Sequence, residues 1–255
     1  MSSAPRVVVF LGPSLPRAEA AELLSDAELR PPAERGDVLR AALAGFRVIC
    51  LIDGYFEHRL AVQHKELLWA LKQGRSVYGA ASMGALRAAE LEEYGVVGVG
   101  DVYRSYADGS LENDDEVAVT HGPAPEYRAG SEPLVDIRAT LRRAVAERCV
   151  ADDVADALVA LVRQQFYPER SYTSMLARAR AAGIDPGACE RLKAWLREPR
   201  HRVKQKRNDA IELLALVRRA LDDGALPTAR GNWDLPWTSA WGQLWSEVTR
   251  RPAVG

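Results

Sequence analysis

The chain has 255 residues, 47% of them hydrophobic, and carries 34 basic against 35 acidic residues for a formal net charge of −1. That length supports a sizeable core in one or two domains. Near-neutral charge without a recognisable nucleic-acid module ranks protein or peptide docking above RNA or DNA. No apolar run approaches the ~20 residues of a membrane span and no apolar signal opens the chain, so a cytoplasmic protein is expected.

The first expected element is a buried strand over the unalternated run VVVFL at 7–11, followed by the turn Gly12-Pro13-Ser14. Gly12 and Ser14 are candidates for presenting backbone N–H groups to an anion, and a proline-stiffened end to the strand is the alternative. The turn has neither the lysine nor the spacing of a Walker loop, and no dinucleotide glycine fingerprint follows. A helix is expected over 34–44, with Val38, Leu39, Ala42 and Leu43 covering a sheet. A second strand, RVICLI at 47–52, ends at Asp53-Gly54.

A helix over 57–73 comes next. It places His64 with Leu60, Leu68 and Leu71 on one face, and Lys65 with Ala61, Trp69 and Lys72 on the neighbouring one. His64 then points toward apolar packing. Lys65 is either a snorkelling surface lysine or, desolvated beside a nucleophile, a proton acceptor. Glu66 reads as an ion-pair partner.

The strand around Val77 runs into a helix through Ala80-Ala81-Ser82-Met83-Gly84. Small residues two positions before and after Ser82 meet the steric need of a tight strand-to-helix turn that holds a nucleophile at the head of a sheet. The first small residue is alanine, not glycine, and a helix cap or a packing serine is the competing role. The strand–helix rhythm implies an α/β fold with an open parallel sheet and crossover helices. Gly12, Ser14, Asp53 and Ser82 would all lie beyond strand ends, where such sheets bind ligands.

Residues 98–122 include Asp114, Asp115, Glu116 and His121. The adjacent carboxylates repel one another and need a compensating positive group such as Arg87 or an ion. No HExxH, paired CxxC or EF-hand pattern is present, and Cys50, Cys149 and Cys189 are too scattered for a zinc site, so no metal centre is expected. His121, flanked by glycine in a loop, is a further base candidate.

Composition changes past the linker-like GPAPEYRAGSEP, which divides an α/β core over 1–125 from a helical lobe over 126–255. Helices are expected over 135–148, 152–165, 172–182, 187–197 and 207–223. Residues 1–122 carry 12 basic and 18 acidic side chains, and residues 123–255 carry 22 and 17. The basic excess gathers at Arg197, Arg200, His201, Arg202, Lys204, Lys206 and Arg207, of which Arg200, Arg202, Lys204, Lys206 and Arg207 are the candidate docking set for an acidic partner. Trp233, Trp237, Trp241 and Trp245 recur every four residues as a drifting helical stripe suited to packing or a homodimer contact, although Pro236 argues against one helix from 233.

Five ordered blocks, FLGPSLP at 10–16, IDGYF at 52–56, AVQHKELLWAL at 61–71, YGAASMGALRAAEL at 78–91 and DDEVAVTHG at 114–122, resemble the TfuA-like proteins. That family accompanies YcaO enzymes in backbone thioamidation of ribosomal peptides. The resemblance covers mainly residues 6 to about 125. It implies a sulfur-placing accessory: one that helps a YcaO partner receive sulfur, or that hydrolyses a thiocarboxylated small carrier protein to release sulfide. No cofactor is implied for this chain, since ATP and magnesium belong to the YcaO enzyme. In the hydrolytic version Ser82 is the nucleophile, and Lys65, His64 or His121 takes its proton. Asp53 orients a base, the amides of Met83 and Gly84, with Gly12 to Ser14, hold the oxyanion, and Arg87 grips a carboxylate. A noncatalytic adaptor that gathers sulfur donor, precursor peptide and YcaO enzyme is the alternative, and a general peptidase or esterase is a third.

Overall fold

The computed structural model describes residues 6–55 and 59–250. Five parallel strands form one open sheet: β1 (Val7–Phe10), β2 (Ala27–Arg30), β3 (Val48–Leu51), β4 (Ser76–Ala80) and β5 (Val97–Val99). Their order is β2-β1-β3-β4-β5, a doubly wound arrangement whose direction of winding reverses between β1 and β3. Register is set by pairs such as Val9 with Cys50 and Cys50 with Tyr78. The crossovers are α1 (Arg17–Leu23), α2 (Asp37–Leu43), α3 (His64–Lys72) and α4 (Met83–Leu91), and α5 (Asp101–Ala107) follows β5. The open parallel sheet with crossover helices, followed by a mostly helical region, is the architecture expected from the sequence.

The unalternated apolar strands are explained by burial on both faces. Val7, Val9, Val48, Cys50, Tyr78 and Ala80 face one core and Val8, Phe10, Ile49, Leu51 and Val77 the other. The second core is closed by residues of α2, α3 and α4, including Val38, Leu67, Leu71 and Ala88. The first is closed by Leu15, Ala20 and Leu24 and by α10 (Gln205–Asp222), whose Ala210, Leu213, Leu214 and Val217 are fully buried. At roughly 1.5–3 kcal/mol per buried aliphatic side chain, Leu213, Leu214 and Val217 contribute about 5–9 kcal/mol gross.

The chain accordingly divides into two compact units. One comprises the described residues of Met1–Ser110 with Asp209–Gly255, and the other is Leu111–Asn208. Composition placed its boundary near 125 and assigned the whole remainder to one lobe, whereas residues from Asp209 onward fold with the α/β unit. Asp209 itself caps α5, accepting from Asp101 N at 3.1 Å and Val102 N at 2.8 Å.

The second unit holds α6 (Leu134–Ala146), α7 (Asp152–Arg163), α8 (Tyr172–Ala181) and α9 (Pro186–Trp195) around Leu141, Leu158, Met175 and Leu192. Local chemistry fixes the helix starts. Ser171 Oγ accepts from Ser174 N, and Asp185 accepts from Gly187 N and Ala188 N with Pro186 at the first helical position.

One expectation is corrected. The helix expected over 57–73 begins at His64; residues 57 and 58 lie outside the described residues, and Leu60 is exposed in a non-helical stretch. Glu66 marks the true start by accepting from Gln63 N at 3.0 Å. The tryptophan stripe is interrupted, in keeping with Pro236: α11 (Ser239–Thr249) includes only Trp241 and Trp245. Thr238 Oγ1 caps it through Trp241 N, and Trp241 and Leu244 bury against Leu39 beside Trp69. Trp233 packs edge-on against Tyr94, while Trp237 stays exposed.

Candidate functional site

The turn from β4 into α4 is strained. Ala81 has φ of +66°, a left-handed conformation that costs a residue with a Cβ of order 1–3 kcal/mol. Ser82 N–H donates to Ala80 O at 2.7 Å, closing a three-residue turn. Ser82 occupies the N-cap position of α4 and is mostly buried, yet its hydroxyl caps no helix amide. The capping role that normally explains a serine here is therefore absent. Close packing supports the turn: a Cβ on Gly84 would lie 1.7 Å from Leu51 O, so only glycine lets the first turn of α4 sit on β3.

Asp53 and the Gly12–Ser14 turn meet at the winding reversal between β1 and β3. Asp53 Oδ2 accepts from Gly12 N at 2.8 Å and Ser14 N at 3.1 Å, and Oδ1 accepts from Ser14 Oγ at 2.6 Å. The carboxylate is buried and staples two loops. The amides of Gly12 and Ser14 thus aim at Asp53. Gly84 N–H is directed to Ile52 O at 3.3 Å, which leaves Met83 N–H, the first amide of α4, as the member of the expected oxyanion set without a backbone or carboxylate acceptor among the described residues. Gly54 brings the two loops together, its Cα passing so near Met83 that a Cβ would lie 2.8 Å from Met83 Cγ.

His64 and Lys65 belong to a neighbouring cleft. His64, expected to face apolar packing, is exposed at the first position of α3, and its Nε2 lies 2.8 Å from Glu90 Oε2. Arg87 Nη1 reaches the same oxygen at 2.6 Å, and Arg87 Nε donates to Val62 O. Burial alone would push the Glu90 carboxyl up, but His64 and Arg87 together hold it below the usual carboxylate range. Lys65 Nζ donates to Pro236 O at 2.7 Å and Thr238 Oγ1 at 3.1 Å. With Gln63, Thr238 and Trp241, the side chains of His64, Lys65 and Arg87 line a cleft of about 380 Å³. None of these bonds leads to Ser82. Among the described residues Glu66 makes no ion pair: it is fully buried and accepts from Gly36 N, Leu39 N and Gln63 N, and burial raises its pKa despite those bonds.

In the second unit the acidic run is neutralised locally. Arg138 grips the buried Glu116 with two bonds at 2.8 and 2.9 Å. Arg170, itself fully buried, holds Asp115 Oδ2 at 2.5 Å and Asp115 O at 2.7 Å. The compensating groups are therefore Arg138 and Arg170, not Arg87. His121 Nδ1 donates to Gly122 O at 2.9 Å, and its ring meets Tyr127 edge-on. The docking set is uneven. Arg200 and Arg207 are exposed, and Lys204 pairs with Glu132. Arg202 donates to Leu196 O and lies over the Tyr172 ring. Lys206 is buried with Nζ on Val117 O, so it offers no docking surface.

All three thiols are raised by burial: Cys50 strongly, and Cys149 and Cys189 in the same direction. Raised thiols are poor nucleophiles and poor sulfur carriers. Sequence reasoning missed Glu90, Gln63 and Thr238. The tryptophan spacing signals a buried helix but not that its cap lands on Lys65.

Fold and turn define an open α/β protein presenting a serine on a strained turn at the carboxyl edge of its sheet. Residues 53–171 match the model of the TfuA-like protein family, an interval that contains Asp53, His64, Lys65, Ser82, Arg87 and His121 and leaves out the Gly12–Ser14 turn and the basic cluster at 200–207. No curated protein matches the chain. Among the described residues no helix is long and apolar enough to cross a membrane, and no group of acidic, histidine or cysteine side chains could hold a metal ion.

Proposed function

We propose that this protein supplies sulfur to a YcaO enzyme for peptide backbone thioamidation by hydrolysing a thiocarboxylated carrier protein. The observation that carries this reading is the left-handed Ala81, which sets an uncapping Ser82 hydroxyl beside the first amide of α4. Ser82 Oγ attacks the acyl carbon, the carbon–sulfur bond breaks, and an ester to Ser82 forms. The hydroxyl proton passes by Lys65 or His64 to the departing sulfur, which leaves as hydrosulfide. Met83 N–H stabilises the oxyanion, and water then hydrolyses the ester to leave a carboxylate on the carrier. Buried, raised cysteines favour hydrolytic release over a relay through this chain's own thiols.

A noncatalytic adaptor is the second reading. It is favoured by the engagement of Lys65 with Pro236 and Thr238 and of His64 with Glu90, which leaves neither on Ser82. Incubating the purified protein with thiocarboxylated carrier and measuring sulfide separates the two. The hydrolase reading expects release by the wild type, loss of about a hundredfold or more in Ser82→Ala, and an acyl adduct on Ser82 by intact mass. Undiminished release by Ser82→Ala would remove Ser82 from the mechanism. Binding to a YcaO partner that survives the substitution, with no release by the wild type, would establish the adaptor.

A further inference from the structure

The cleft between α3, α4 and the cap of α11 has a chemistry of its own. Its walls are apolar at Ala61, Val62, Ala240 and Trp241, and its polar groups are predominantly donors. Lys65 Nζ uses two of its three N–H groups, on Pro236 O and Thr238 Oγ1. Arg87 uses Nε and Nη1, so among the described residues Nη2 is left to serve a ligand. His64 likewise uses Nε2 on Glu90. One acceptor, Glu90 Oε2, is shared by His64 and Arg87.

The charge balance selects the ligand. Lys65 and Arg87 outnumber Glu90 among the carboxylate, ammonium and guanidinium groups of the cleft, which suits an anion. Arg87 Nη2 and the third N–H of Lys65 Nζ provide one charged donor for each oxygen of a carboxylate. The volume of about 380 Å³ lies in the range of small-ligand sites, and the small apolar walls admit a slender body behind the charged head.

We infer that this cleft binds a carboxylate, with Arg87 Nη2 and Lys65 Nζ as its donors and the Ala61–Val62 and Ala240–Trp241 surfaces around its carbon skeleton. The carboxylate is either that of a small free acid or the C-terminus of a peptide chain. This assignment does not depend on Ser82 being a nucleophile.

Calorimetric titration of the full chain at low salt tests it, with acetate, triglycine as the free acid, and triglycine amide as probes. The free acid should saturate one site and the amide should bind at least about tenfold more weakly, since it lacks the charge that Arg87 and Lys65 pair with. Raising the salt concentration should weaken the free acid. Lys65→Gln and Arg87→Gln should each cost about tenfold, with Arg87→Lys retaining part of the affinity, and Ser82→Ala should bind as the wild type does. Acetate binding as tightly as triglycine identifies a small free acid; triglycine binding much more tightly identifies a chain terminus. Arg87 also holds Val62 O, so thermal unfolding is measured beside each titration, and the more exposed Lys65→Gln decides if Arg87→Gln misfolds. Equal binding of acid and amide, absence of saturable binding, or unchanged affinity in Lys65→Gln overturns the assignment.

Discussion

Replacing Asp53 distinguishes a staple from a catalytic partner. Its carboxylate accepts from two buried backbone amides and one hydroxyl, at 2.8, 3.1 and 2.6 Å. Asp53→Ala leaves the Gly12 and Ser14 amides without their acceptor in a buried turn, at about 1–3 kcal/mol each; a central value for the pair is about 4 kcal/mol. Since 1 kcal/mol moves the melting temperature of a chain this size by about 2–4 °C, the expected loss is about 8–16 °C. Asp53→Asn keeps an oxygen on both amides and turns its NH2 toward Ser14 Oγ, which rotates to accept. Only charge assistance is lost, about 1 kcal/mol or about 2–4 °C. Differential scanning calorimetry of the three proteins reads this directly. An asparagine variant as unstable as the alanine one would refute the reasoning, because the charge and not the placement of acceptors would then be holding the loops. An alanine variant melting within 2 °C of wild type, roughly what 1 kcal/mol would move, would refute it as well.

Gly84→Ala should unfold or severely destabilise the α/β unit, because the added Cβ would lie 1.7 Å from the backbone oxygen of Leu51; circular dichroism melting checks it, and a stable variant would mean that α4 can lift off β3 without cost. Burial raises the Asp136 pKa from 3.8 to about 6, partly offset by its bond from Lys206 N and by the Lys204 and Lys206 charges. A raised carboxyl pKa gives stability that is full below the unfolded value and is lost as pH rises through about 6. Asp136→Asn, which still accepts from Lys206 N, should therefore gain on the wild type by about 2 kcal/mol between pH 4 and pH 7, and urea unfolding curves that stay parallel across that range would contradict this. Trp241→Ala empties a nearly fully buried site between Leu39 and Leu244 and should cost about 3–5 kcal/mol, measured by the same unfolding assay.

Strong, repetitive signals made much of this structure legible. The unalternated runs at Val7–Phe10 and Val48–Leu51 read as buried parallel strands, and the helices of the second unit fall within two residues of their expected limits, α8 and α9 with Ser171 and Asp185 as caps. Strand β2 went unread: its AELR is a partly exposed edge whose apolar–polar alternation spans only four residues and includes no β-branched residue. The start of α3 was misplaced because HRLAVQ has helical composition, while the signal that ends the loop, a buried Glu66 reaching back to Gln63 N, exists only once both are positioned. In the site, the small residues around Ser82 announced the turn, but the pairing of Asp53 with Gly12 and Ser14 joins residues about forty positions apart. Likewise Lys65 meets Thr238 across 173 positions. Composition and local spacing carry no information about such partners.

Helix α10 has a consequence for how the chain is made. The face of the sheet formed by Val7, Val9, Val48, Cys50 and Tyr78 is complete in sequence by residue 80, yet the helix that covers much of it starts only at Gln205. At about 5–20 residues per second on the ribosome, roughly 6–25 s pass between synthesis of the last sheet residue of that face and synthesis of its cover. During that interval the nascent α/β region presents an apolar surface to the cell, so it depends on a chaperone or on slow strand assembly to avoid self-association. A fragment ending near 125 carries the same bare face permanently, and dissecting this protein for study calls for keeping α10 with the first 110 residues, through an artificial linker in place of residues 111–204.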